Sequence, residues 1–172
     1  MRHCLRLISA ALLSIALVAG AAGLLVMPAQ AKTWLAPAPD PDVNPQRDRN
    51  EFENRILVEI NRARVDAGLN KVRLFESCVD HKSERWARKI KYSGDLVHRN
   101  QMKVIRACDL QWTGEVLVRG AGLTPQSAVN AWLNSPSHRD VIMKERARWA
   151  GVGVRLDSDG RFVGVVNFGD AT

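Results

Sequence analysis

Cysteine and histidine are scarce in this chain, at three and four of 172 residues, and there is one tyrosine. Cys4 lies in an N-terminal stretch that reads as removable, so the folded part keeps Cys78 and Cys108 and three histidines, His81, His98 and His138. His98 has no second metal-binding side chain at local motif spacing, which excludes a metal site written in one segment; only a fold can assemble one. The sequence shows no aromatic-interleaved basic stripe of the single-strand-binding kind, so nucleic-acid binding by base stacking is not expected. No internal repeat occurs and no activated nucleophile is visible. Ser137 and Asp140 flank His138, but triad members must hydrogen-bond in sequence, and three residues on one helical turn project apart.

What is present begins with a targeting pattern. Arg2 and Arg6 precede an apolar run over residues 7–27, and Pro28-Ala29-Gln30-Ala31 supplies small residues for cleavage, so residues 1–31 read as a signal peptide. The run approaches the ~20 residues that span a bilayer, which leaves an N-terminal membrane anchor as the alternative. Loss of Arg2 and Arg6 with the leader lowers the formal charge from +7 to +5. The remaining basic balance favours salt-dependent attraction to anionic lipid, cell-wall polymer or nucleic acid. Arginines spread over helices, such as Arg55, Arg62, Arg64, Arg85 and Arg88, more commonly form a solvated face. Export places Cys78 and Cys108 in an oxidising compartment, where an even pair reads as one disulfide, with two buried thiols as the alternative. Such a bridge would contribute roughly 3.5 kcal/mol by restricting the unfolded chain, and would tether the segment carrying His98.

Residues 32–49, with Pro37, Pro39, Pro41 and Pro45, read as a linker. The rest, residues 50–172, is long enough for one domain. Asn50 with Glu53 fits a capping box, and Phe52, Ile56, Ile60, Ala63 and Ala67 recur at helical steps up to Gly68. A second helix is predicted over residues 77–92, with Val79, Ser83, Trp86, Ala87 and Ile90 on its inner face. Residues 95–113 read mostly as loop, with a short helix near 101–105, and residues 115–119 as a short strand. Thr124-Pro125 and Ser135-Pro136 each supply an N-cap followed by proline at the first helical position, starting two helices, the second ending near Met143. Val152, Val154 and Leu156 alternate with Gly153 and Arg155, turn at Asp157-Ser158-Asp159-Gly160 and return over residues 162–168 as a hairpin. Trp86 and Trp132 fall on inner helical faces and read as packing, while Trp112 and Trp149 flank strands. Helices must cover the apolar face of such a sheet.

His138 falls in the first turn of its helix, where the positive end of the dipole disfavours imidazolium and leaves the neutral form that binds metals or accepts protons. A capping or packing histidine is the plainer reading. Glu115 stands after a glycine at the start of a buried strand, and a carboxylate there needs a partner. His81, among Asp80, Lys82 and Glu84, reads as an exposed histidine without a role.

Four ordered segments, Gly94-Asp95-Leu96-Val97-His98, Gly114-Glu115-Val116, Trp132 to Arg139, and the glycine-punctuated strands around Gly151, Gly153 and Asn167-Phe168-Gly169, resemble the CAP superfamily of cysteine-rich secretory, antigen 5 and pathogenesis-related proteins in its compact bacterial form. The resemblance spans residues 50–169 and implies an α+β fold, a three-layer α-β-α sandwich with a small antiparallel sheet. It further implies a cleft in which His98 and His138 hold a divalent ion, zinc foremost, and Glu115 contacts its waters or joins as a third ligand. Two departures weaken that site: Val116 stands where the family has asparagine, and Asn134 or Ser135 where it has a second glutamate. The implied roles are an exported, monomeric binding module for a lipid, cell-wall polymer or protein; a metal-assisted hydrolase with Glu115 as general base; or a scaffold with a vestigial cleft. Metal binding is expected to be weak.

Overall fold

The computed structural model describes residues 48–73 and 77–171. The leader and all but the last two residues of the linker lie outside that range. Eight elements follow in order: α1 (Arg49–Asp66), α2 (Ser77–Ser93), α3 (Gln101–Cys108), β1 (Leu110–Gly120), α4 (Pro125–Leu133), α5 (Pro136–Ile142), β2 (Trp149–Leu156) and β3 (Phe162–Ala171). The strands form one antiparallel sheet in the order β1-β3-β2.

Helices cover both faces. Phe52, Ile56, Leu57 and Ile60 of α1 and Ala128, Val129 and Trp132 of α4 pack with Ile142 of α5 against Val116, Val152, Val154, Val166 and Phe168 of the sheet. On the opposite face Ala87 and Ile90 of α2 meet Leu117, Val163 and Val165, and Val79 and Val104 meet Leu110. This is the expected α+β sandwich. Alternation along β3 explains it: Val163 and Val165 face one helical layer while Phe162, Val166 and Phe168 face the other. The Cys78–Cys108 disulfide joins the start of α2 to the end of α3, closing 30 residues that include His98.

Several boundaries differ from the sequence reading. Asp48, not Asn50, caps α1, its side chain accepting from Glu51 N at 3.0 Å. The inner face of α1 also veers from the expected line, since Ala67 is exposed and Arg64 is fully buried. Arg64 therefore leaves the solvated set to which composition assigned it. Its guanidinium donates to Asn70 O, Ile142 O, Lys144 O and Ala147 O, so it fastens α1 to the carboxyl end of α5. Both the α3 helix and β1 are longer than expected. Asn100 caps α3, and Asp109, in the left-handed region at φ 50°, ends it and lets the strand begin at once. Thr113 and Gly114 look like loop residues but are buried strand residues, and Glu115, expected at the start of the strand, lies within it.

Three outward N–H groups of edge strand β2 are occupied: Ala150 N donates to Arg73 O, Val152 N to Asp80 Oδ1 and Val154 N to Glu53 Oε1. Burial pushes the Glu53 carboxyl from 4.5 up to about 7, more than the Val154 N–H and the nearby Arg49 and Arg155 pull it down. The folded protein thus holds this proton more tightly than the unfolded chain. Glu53 favours the native state most below its unfolded pKa, and that contribution, on the order of 3 kcal/mol at most, is lost as pH rises through the folded value. Glu53→Gln keeps the acceptor for Val154 N and removes the ionisation. Denaturant unfolding at several pH values should show the variant gaining on the native protein from pH ~5 to ~8; a constant difference would contradict this assignment.

Candidate functional site

Glu115 is the centre of the site. It lies on β1 opposite Asn167 of β3, and its side chain is 1 % exposed. Oε1 accepts from His98 Nδ1 at 2.9 Å and from Arg99 N at 3.2 Å; Oε2 accepts from Arg99 Nε at 2.9 Å and from Asn167 Nδ2 at 3.3 Å. Each oxygen faces donors from both sides, so it can only accept, and the proton between His98 and Glu115 sits on Nδ1. Nε2 of His98 is left as the outward-facing nitrogen of a half-exposed ring.

His138 reaches the same place from the other layer. Ser135 and Pro136 start α5 as the sequence predicted, although the Ser135 hydroxyl makes no capping bond and lies 3.4 Å from Ser137 Oγ. Gly114 lets α5 close on β1: a methyl group there would meet Val141 Cγ1 at 2.6 Å and the Trp112 ring at 2.9 Å. The Trp132 indole donates to Leu117 O at 2.8 Å, tying α4 to the free edge of β1 two residues beyond Glu115. The result is a pair of imidazoles with ring centroids 6.1 Å apart and planes inclined at 47°. Burial lowers the His138 pKa, and the neighbouring His98 lowers it further, so its ring is neutral at physiological pH. The sequence argument gave the same direction through the helix dipole; burial is the larger cause found here.

Three residues separated by 17 and 23 positions are therefore neighbours, whereas His81 is exposed on α2. Their roles differ. With four protein donors on its two oxygens, Glu115 orients His98, and two imidazoles remain to face a cation. Among the described residues no group of three or more His, Cys, Asp and Glu side chains could hold a metal ion. A third ligand from Glu115, the stronger of the two arrangements the resemblance implies, is therefore not available, and the nitrogen donors of the cleft are the two imidazoles.

Sequence reasoning missed three participants. Asn167 supplies an amide to Glu115 and donates to Ser83 Oγ at 3.2 Å, while Ser83 Oγ donates to Gly151 O at 2.9 Å. A polar residue inside the apolar run from Phe162 to Phe168 was the available signal. Val116 has no amide to offer, and its position faces the opposite core, where it is fully buried. Arg99 also donates to Lys82 O at 2.8 Å and holds the His98 loop on α2, but nothing distinguishes it in the sequence from the other arginines.

The model of the cysteine-rich secretory protein family, CAP, matches residues 57–168. No curated protein matches the chain. Among solved structures, an outer surface protein from Borrelia burgdorferi is 23 % identical with a TM-score of 0.64, the match covering 76 % of this chain and 97 % of that one. An extracellular protein containing an SCP domain from Bacillus anthracis is 17 % identical with a TM-score of 0.60, over 74 % of this chain and 44 % of the other. This chain thus corresponds to less than half of the Bacillus protein. NaASP2, solved with Zn2+, is 13 % identical with a TM-score of 0.52, over 72 % and 81 % of the two chains. These structures share the fold.

Proposed function

We propose, from the premise that the chain belongs to the cysteine-rich secretory protein (CAP) family, that it is an extracytoplasmic binding module whose cleft takes a divalent cation, zinc foremost, weakly between His98 and His138. The observation that carries this reading is the pair of adjacent imidazoles, one fixed by a buried carboxylate and the other kept neutral by burial. Metal-binding histidines are oriented in this way, by a carboxylate on the second ring nitrogen. A bound ion would supply Lewis acidity and an exchangeable water position. The protein's own part is to hold two nitrogens ready and to keep Arg99 off them by engaging it with Glu115. Export is supported by the leader pattern and by the Cys78–Cys108 bridge, which persists in oxidising compartments. The cleft ligand belongs among lipids, cell-wall polymers and proteins.

A hydrolytic role with Glu115 as general base finds less support, because both of its oxygens already accept from protein donors. Calorimetric titration with Zn2+ at neutral pH should show weak, saturable binding that His138→Ala removes and that His81→Ala leaves intact. Equal binding by native protein and His138→Ala would overturn the assignment.

A further inference from the structure

The charge of this protein is concentrated in one place. Residues 85–106 hold seven Lys and Arg and a single acid, Asp95, so this stretch carries +6 while residues 32–172 as a whole carry +5. Arg99 is neutralised by Glu115 inside the site. The other six cations, Arg85, Arg88, Lys89, Lys91, Lys103 and Arg106, pair with no acid among the described residues. Arg85, Arg88, Lys89 and Tyr92 stand at i, i+3, i+4 and i+7, one stripe of α2, and all four are exposed. Lys103 and Arg106 are exposed on α3, which lies beside α2 in the same helical layer and is bonded to it through Cys78–Cys108.

Exposed apolar side chains are concentrated in the same stretch. Of the five large hydrophobic residues exposed among the described residues, four lie within it: Tyr92 at 77 %, Leu96 at 43 %, Val97 at 54 % and Met102 at 51 %. Leu96 and Val97 occupy the loop between the two basic helices, and Trp86 Nε1 holds Val97 O at 3.0 Å, so the loop is pinned with its apolar side chains outward. The ammonium groups of Lys89 and Lys91 lie over the Trp86 and Tyr92 rings, 4.6 and 5.5 Å from their centroids, so charge and aromatic surface are presented together and neither ammonium is held by an acid among the described residues. A solvated basic face has no use for four exposed apolar residues, and a protein interface core is depleted in lysine. Exposed apolar side chains in the same stretch as cations that no acid neutralises among the described residues match the boundary of an anionic bilayer, where headgroups meet the charge and acyl chains meet the apolar tip.

We propose that the outer face of α2 and α3, with the loop between them, is a docking surface for an anionic lipid membrane, with Tyr92, Leu96, Val97 and Met102 entering the interface and the six cations facing the headgroups. This surface is distinct from the His98 and His138 cleft and does not depend on that cleft binding a cation, although docking would hold the cleft close to the bilayer.

The test is cosedimentation of the purified protein with vesicles of phosphatidylcholine alone or mixed with phosphatidylglycerol. Variants are prepared identically, so that any contribution from residues 1–47 is common to all. Native protein should bind the mixed vesicles selectively, with roughly tenfold weaker binding when salt rises from about 50 to about 200 mM. Leu96→Ser with Met102→Ser should weaken binding roughly tenfold while leaving thermal unfolding unchanged, because both side chains are exposed. Lys89→Glu with Lys103→Glu should weaken it further. Failure to prefer anionic vesicles would overturn the proposal. So would wild-type binding by the Leu96→Ser, Met102→Ser variant together with full competition by soluble polyphosphate, which would identify a polyanion surface.

Discussion

Gly153→Ala is expected to unfold this protein or to lower its stability by about 3 kcal/mol or more, beyond the usual range for one added methyl group. A Cβ at position 153 would lie 2.4 Å from Ser83 O and 2.6 Å from Glu84 N; at Gly151 it would lie 2.3 Å from Asp80 Cα and N. These are backbone atoms of α2, which cannot rotate aside as a side chain can. Helix α2 is also cross-linked to β2 by Asp80 Oδ1 with Val152 N and by Ser83 Oγ with Gly151 O, so it cannot retreat without breaking both bonds. Retreat would carry Ser83 away from Asn167 and loosen the support of Glu115. Gly120→Ala is the matched control, since the three atoms nearest its Cβ all belong to the Leu123 side chain, which can turn aside, the first at 3.0 Å. Thermal unfolding should show a drop of roughly 10 °C or more for the position 153 variant and little change for the control.

Glu115→Ala should cost about 3–5 kcal/mol, because it strands the buried Arg99 guanidinium without its acid and leaves the Asn167 amide, the Arg99 N–H and His98 Nδ1 short of an acceptor. The double variant Arg99→Met, Glu115→Leu removes both charges and should recover part of that loss. Coupling of this kind is what a double-mutant cycle measures. Cation binding should stay absent in the double variant, since nothing then orients His98. Denaturant unfolding and Zn2+ calorimetry on the same three proteins separate the structural share of Glu115 from its share in the site.

How much was legible in the sequence depends on whether a residue's surroundings repeat with the chain. Periodicity placed α1, α2 and the β2–β3 hairpin, and the two proline-initiated helices were found from their caps, because those signals are local. Residues 110–114 were not legible as strand: Thr113 and Gly114 are buried for reasons lying on β3 and α5, not in their own composition. Arg64 was misread for the same cause, since its acceptors are carbonyls up to 83 residues away. At the site, the resemblance pointed to His98, Glu115 and His138, but neither it nor the spacing could show that Arg99 and Asn167 engage Glu115. That distribution of donors decides whether the carboxylate faces a cation or a ring nitrogen.

The central statement is that His98 and His138 share one hollow, with the His98 proton held on Nδ1 by Glu115. Long-range nitrogen–proton NMR spectra of the imidazoles at neutral pH, combined with ring-to-ring nuclear Overhauser effects, test it directly. The account predicts a bound proton on Nδ1 of His98 and a cross-peak between the rings of His98 and His138. A His98 ring with its proton on Nε2 alone, as in a free solvent-exposed histidine, and no contact with His138 would contradict it.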